Sequence, residues 1–281
     1  MKKAVLKLVG LGLNMCYQLN PRLAVHKTTQ FFSKPQRRVI PIEKERFLQT
    51  ADTEELCIMD RVLRVYSWGA GEQRVLLAHG WESNVSRWED LIRYLQVHNY
   101  RVIALDAPGH GHSQGRLYDQ TVYGAAIRKL IETAEVQVVV GHSLGGFTLL
   151  LEQYRNPFQG VKKMVLMGAP VSFAKYHRNF RDNFGLNTKL NRDFETYFSQ
   201  RYAYDLARFS FLEVEDWSSM PLLFIQDKTD KVVHYQATVQ LAEKWKQAKL
   251  LLTDGLGHGL RDESVYQAIL NFLTPKEECF E

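Results

Sequence analysis

The stretch "VVVGHSLGGFTLLLEQY", residues 138–154, holds three valines, a serine between glycines, and then a helical run. β-branched residues suit a strand, and Leu, Glu and Gln suit a helix, so the switch falls at Ser143. A strand that becomes a helix within one turn strains the backbone at the join, and bulky neighbours would clash there. Gly141, Gly145 and Gly146 supply that room. A serine hydroxyl is a weak nucleophile that needs a base to take its proton and donors to hold the oxyanion it creates. The helix opening behind Ser143 aims unpaired N–H groups toward it. Alone, G-x-S-x-G is a weak motif. A strand before it and a helix after it give it meaning as a turn that presents a nucleophile. The competing reading, a phosphate-cradling turn, lacks the lysine and glycine spacing that chemistry needs.

Outward from this turn the same rhythm runs in both directions. "ELCIMDRVLRVYSWG", from residue 55, makes two early strands, and "RVLLAHG" (74–80) is a short apolar run ending in Gly80. "RWEDLIRYLQVH" places Trp88, Leu91, Ile92 and Leu95 on one helical face. Strand "RVIALDAPG", helix "VYGAAIRKLIETA", strand "VQVVVGH", helix "FTLLLEQY" and strand "KKMVLMGAP" follow. After a gap come strand "PLLFIQD", a helix from about Tyr235 to Trp245, strand "AKLLLTD" and helix "ESVYQAILNFL". Strands alternating with helices predict an α/β fold with a mostly parallel, eight-stranded-type sheet flanked by helices. Strands that are apolar throughout are those covered on both faces.

The alternation fails between Pro170 and Pro221. Residues 171–217 hold 12 of the chain's 33 aromatic residues in about a sixth of its length, interleaved with basic residues. An excursion between two strands of a parallel sheet leaves from a sheet end, where ligands bind, so this segment reads as an inserted helical lid. Phe173 and Phe180 are its candidate substrate contacts. The division expected is 1–50 as an N-terminal helix and basic lead-in, 51–170 with 218–275 as the core, and 171–217 as the lid.

Residues 1–18 pair lysines with apolar positions at helical spacing, and Lys7 interrupts the run. This predicts an amphipathic helix packed on the main domain. Contact with a membrane surface and a secretory signal stay open as alternatives, whereas the run is too short and interrupted to span a bilayer. Pro35 and Pro41 argue for irregular or extended backbone.

Composition narrows the classes further. The 281 residues are 45% hydrophobic and 24% charged, enough for a sizeable core. The net charge of +5 comes from scattered Lys and Arg, so no nucleic-acid partner is expected. Cys16, Cys57 and Cys279 form no pair or zinc spacing, which fits a reduced, cytoplasmic setting. His110 and His112 make an H-x-H pair without a further ligand at metal spacing, so no metal is expected. Nor is a nicotinamide or flavin motif visible, and no cofactor is expected.

"LLAHGWES", "LDAPGHGHS", "GHSLGG", "IQDKTDKVV" and "GLGHGL" stand in an order and at separations that resemble the α/β-hydrolase fold family over about residues 60–273. The resemblance implies a serine hydrolase of the esterase/lipase-like branch, with Ser143 as nucleophile in the nucleophile elbow. His258, on a loop after a strand and flanked by Gly257 and Gly259, fits the base, last in the order Ser, Asp, His. Asp230, followed by Lys231-Val232-Val233, fits the family's acid; Asp227 sits where many members carry glycine and is the alternative. The backbone N–H groups of Leu144 and Trp81 would form the oxyanion hole, with Trp81 also a pocket wall. Asp106 reads as a turn residue, and the side chain of His142 as aimed away from the serine. The function this implies is cleavage of a carboxylic ester of a small to medium, apolar substrate through an acyl-enzyme. Thioester, amide, N-terminal peptide or carbon–carbon cleavage on the same triad, or a slow-turnover binding module, are the alternatives. The partner expected is a small-molecule ester, and the chain a monomer or homodimer.

Overall fold

The computed structural model describes residues 2–36, 40–216 and 219–274. Trp217 and Cys279 lie outside them. The helices are α1 (Lys2–Leu19), α2 (Pro21–Phe32), α3 (Ile42–Leu48), α4 (Glu89–Val97), α5 (Gln120–Thr133), α6 (Leu144–Arg155), α7 (Ala174–Phe184), α8 (Thr188–Tyr202), α9 (Tyr235–Lys244) and α10 (Glu263–Leu273). The strands are β1 (Asp52–Ile58), β2 (Arg61–Trp68), β3 (Gln73–Ala78), β4 (Tyr100–Leu105), β5 (Val138–His142), β6 (Lys163–Met167), β7 (Leu222–Asp227) and β8 (Ala248–Thr253).

The chain divides into two compact units: Met1–Lys34 with Val171–Val214, and Pro35–Pro170 with Glu215–Glu281. In the larger unit the eight strands form one sheet in the order β1-β2-β4-β3-β5-β6-β7-β8. β1 and β2 are antiparallel to each other, β2 is antiparallel to β4, and every other pairing is parallel. Side chains alternate across such a sheet, and here both sets are apolar. Val75, Leu77, Val102, Val140, Met167 and Ile225 share a core with Trp88 and Leu91 before and in α4, and with Val265 and Ile269 of α10. The residues between them, Leu76, Ile103, Val139, Leu166 and Phe224, are as deeply buried. α5 and α6, which pack on each other and on β3, cover that second face.

The smaller unit joins two segments far apart in sequence. Its core gathers Leu13 of α1 and Ala24 and Val25 of α2 with Phe184, Leu186 and Leu190. Residues 1–34 thus fold with the aromatic-rich insertion. The lead-in is helical from Pro21, which takes the first helical turn where its missing N–H is harmless, behind an Asn20 side-chain cap.

Candidate active site

In a parallel sheet the loops that leave the carboxyl ends of the strands lie on one edge. Here the loops after β3, β5, β7 and β8 carry Gly80-Trp81, Ser143, Asp230 and His258, all within the larger unit.

Ser143 takes φ 53° and ψ −122°, a left-handed conformation that a side-chain-bearing residue holds only under local constraint. That constraint is visible. Its N–H donates to the Met167 carbonyl at 2.8 Å, pinning the turn to β6, and α6 starts at the next residue. A Cβ at Gly145 would run into the Ala78 and His79 carbonyls, so only glycine lets α6 lie against the end of β3.

His258 occupies a single 3₁₀ turn, Gly257–Gly259, beyond β8. Its Nε2 lies 3.0 Å from Ser143 Oγ and its Nδ1 2.7 Å from Asp230 Oδ2. A carboxylate only accepts, so Nδ1 carries the proton and Nε2 is left to accept from the serine hydroxyl. The Asp230 side chain is fully enclosed and that of His258 is 23% exposed, so the open end of this chain of bonds is the Ser–His end. Asp230 also accepts from the N–H groups of Val232 and Val233 and from Gln226 Nε2. Burial pushes its carboxyl up, but the His258 bond and these N–H donors outweigh it and hold the group below its ordinary value.

Asp227 does different work. It accepts from Thr229, from Thr253 Oγ1 at 2.7 Å and from the Leu256 N–H at 3.0 Å. This ties the end of β7 to the loop that leads to His258. Burial raises its carboxyl, yet the Thr229 and Thr253 bonds drive it far below the carboxylate range. Asp254 pairs with Lys228 at 3.6 Å instead.

The N–H of Leu144 is the first of α6, and among the described residues neither it nor the Trp81 N–H meets a protein acceptor. The Gly80-Trp81 segment is set by a buried network beneath it. His79 Nδ1 donates to the Gly80 carbonyl at 2.8 Å and Nε2 accepts the Ala107 N–H at 2.9 Å. Burial pulls the His79 imidazole down to about 3, so it is neutral, and its 3.8 Å approach to Asp106 is not an ion pair. His110 repeats the arrangement, with Nε2 accepting the Glu82 N–H and Nδ1 donating to the Pro108 carbonyl. Asp106 takes the N–H groups of Val85 and His112, each at 2.8 Å. The two histidines of the H-x-H pair are therefore occupied in the turn, His112 with Tyr66 and Glu45. Among the described residues no group of three or more His, Cys, Asp or Glu is arranged to hold a metal.

The Trp81 ring packs edge-on against His110 and Tyr118 at 5.5 and 6.0 Å. Phe173 and Phe180 belong to the smaller unit. Phe173 pairs with Tyr176, and Phe180 sits among Phe32, Phe184 and Phe194, inside that unit's own aromatic cluster.

Two further residues hold the His258 loop; the sequence reads His142 only as aimed away from the serine and does not single out Arg87. His142 is buried, and its Nε2 donates to the His258 carbonyl at 2.8 Å. Arg87, equally buried, donates to the Gly259 carbonyl at 3.0 Å and lies 4.2 Å over the Trp88 ring. Burial brings this guanidinium down to about 9. An arginine beside the helical face Trp88–Leu95 was the available signal, since a buried cation has to find acceptors.

Comparison with known proteins fits this architecture. The model of the alpha/beta hydrolase family matches residues 75–269, and the chain belongs to that family. It is 32% identical over 127 residues to a non-heme haloperoxidase of Rhodococcus erythropolis, covering 44% of this chain and 43% of that protein. It is 35% identical over 119 residues to a pimeloyl-[acyl-carrier protein] methyl ester esterase of Nitrosospira multiformis, covering 40% of this chain and 44% of the relative. The matches thus span under half the length of these curated relatives. An esterase structure from Exiguobacterium antarcticum shares the fold with a TM-score of 0.61 at 19% identity, over 79% of this chain and 100% of that one.

Proposed function

We propose that the protein is a serine hydrolase that cleaves carboxylic esters through an acyl-enzyme. The arrangement that carries this reading is the line Ser143 Oγ, His258 Nε2, His258 Nδ1, Asp230 Oδ2, with gaps of 3.0 and 2.7 Å, together with the main-chain N–H groups of Leu144 and Trp81, which meet no protein acceptor among the described residues. His258 takes the serine proton as Oγ bonds to the carbonyl carbon. The N–H groups of Leu144 and Trp81 hold the resulting oxyanion. The proton on Nε2 passes to the leaving alkoxy oxygen as its bond to carbon breaks, and the alcohol departs. Water then repeats the sequence on the acyl-enzyme, giving the acid and restoring Ser143. Asp230 keeps Nδ1 protonated throughout and stabilises the imidazolium.

The printed name of the Nitrosospira relative, a methyl ester esterase, supports an ester as the scissile group. The preference for an apolar acyl group rests on the aromatic composition of residues 171–217. The test is labelling by a fluorophosphonate probe, followed by turnover of p-nitrophenyl esters of increasing chain length beside aminoacyl anilides. Ser143 should be labelled and Ser143→Ala should not, with esters turned over in preference to anilides. Absence of labelling in the wild type, or equal labelling of Ser143→Ala, overturns the proposal.

A further inference from the structure

α1 has two apolar faces, and the fold uses only one. Leu6, Val9, Leu13, Cys16 and Tyr17 turn inward to the core of the smaller unit. On the other side Val5, Leu8, Leu11, Met15 and Leu19 are 55, 67, 55, 63 and 90% exposed. Steps of three and four residues align these side chains along one stripe of the helix. A surface helix ordinarily turns charged or polar groups to solvent, and a contiguous apolar stripe marks an interaction surface. α2 adds Leu23 and Phe31, at 44 and 43% exposure.

Charge says what would cover this surface. Up to Ile42 the sequence has eight Lys and Arg and no Asp or Glu; the chain as a whole carries +5, so the remainder carries −3. Lys3, Lys7, Arg22 and Lys27 are exposed on α1 and α2. Lys7 Nζ is held at the Asp182 carbonyl, beside the stripe. A second copy of the chain would bring two such basic surfaces together. An anionic bilayer offers acyl chains to the stripe and phosphates to the lysines and arginines. No described helix is long and apolar enough to cross a membrane, so the geometry is that of a helix lying in the interface.

We propose that the outer face of α1, with the basic residues around it, seats the protein on an anionic lipid surface. The contact is peripheral: the apolar side chains reach into the headgroup–acyl boundary, and the long basic side chains extend to the phosphates. It is independent of the hydrolase reading, because none of the observations it rests on involves Ser143 or His258.

The test is co-sedimentation of the full chain with vesicles of phosphatidylcholine, or of phosphatidylcholine mixed with phosphatidylglycerol. The protein should pellet with the anionic vesicles, less so at about 0.5 M than at about 0.1 M NaCl, and weakly with the neutral ones. Leu8→Glu/Met15→Glu, at exposed positions, should lower partitioning at least about tenfold without shifting the thermal melt. Arg22→Glu/Lys27→Glu leaves the stripe intact and should remove most of the salt dependence. A wild type that stays in the supernatant with anionic vesicles overturns the proposal, as does a Leu8→Glu/Met15→Glu variant that binds as well as the wild type. A dimer by light scattering that this variant converts to a monomer, with no vesicle binding by either protein, makes a second copy the occupant and also overturns it.

Discussion

His142 donates its Nε2–H to the main-chain carbonyl of His258 at 2.8 Å, with the two rings 4.8 Å apart. The residue before Ser143 therefore holds the backbone of His258, the residue proposed to take the serine proton. Burial, with the nearby charges of Arg87 and His258, keeps His142 well below the ordinary histidine value, so it stays a neutral donor. Arg87 grips the same loop one residue further on, at Gly259.

Replacing His142 with Ala should release the His258 loop at that end. The loss of one buried hydrogen bond is of order 1–3 kcal/mol, which as a displaced base becomes about a tenfold to hundredfold fall in kcat. KM for a small ester should change little, and His142→Gln, which keeps a donor, should recover part of the loss. Steady-state kinetics on p-nitrophenyl butyrate decide it; a change confined to KM would show that the contact is not about positioning.

Asp230 and Asp227 should separate cleanly. Asp230→Asn removes the acceptor at Nδ1 and reverses the tautomer preference, for which losses near 10⁴-fold in kcat are the precedent among serine hydrolases. Asp227→Asn leaves His258 its partner but weakens bonds to Thr253 and Leu256. It should cost about 1.5–3 kcal/mol of stability with a much smaller effect on kcat. Kinetics and urea denaturation of both variants test this, and the reverse ranking would identify Asp227 as the working carboxylate.

Gly80→Ala should damage the proposed oxyanion site. An added Cβ would stand 2.8 Å from Ser143 Cβ and 3.0 Å from the His142 carbonyl, so the Gly80-Trp81 segment or the serine turn has to shift. A displacement of about 1 Å at a reacting centre lowers rate about a hundredfold. Fluorophosphonate labelling of the variant at matched concentration is the measurement, and unchanged labelling would show that the turn yields without consequence.

Acid should unfold the protein in two stages. The folded state keeps His79 neutral down to about 3, whereas the unfolded chain protonates it below about 6.5. The unfolded state then binds more protons, so stability present above about pH 6.5 is lost as pH falls through that window, by about 1.4 kcal/mol per pH unit for one such group. Below about pH 4 the depressed carboxyls of Asp227 and Asp230 add to the loss, since their contribution is present only above the unfolded carboxylate value. Urea midpoints from pH 7 to pH 4 should fall steadily, and His79→Gln, less stable at pH 7, should show the shallower slope. A flat profile over that range would mean that His79 titrates in the fold as it does unfolded.

The β/α alternation and the serine turn were legible in the chain because both are local. β-branched runs, helical periodicity and glycines at a crowded turn are set by neighbours a few residues away. The α6 start at Leu144 and the left-handed φ of Ser143 are what those neighbours require. Between Asp227 and Asp230 the family resemblance favours Asp230, but the local pattern of residues does not decide. Three residues apart, Asp227 at the end of β7 and Asp230 in the loop beyond it differ in which way the backbone turns each carboxylate, and composition does not record that.

By itself, then, the sequence determined the parallel α/β layering, the glycine-flanked turn at Ser143 and the loop that carries His258. Only the tertiary structure decided that His142 and Arg87 clamp that loop, that Asp227 ties β7 to β8 while Asp230 meets the imidazole, and that α1 folds with α7. These contacts join positions up to some 170 residues apart. Their partners are chosen by packing and by the need to satisfy buried polar groups, which come into play only once the chain has closed on itself.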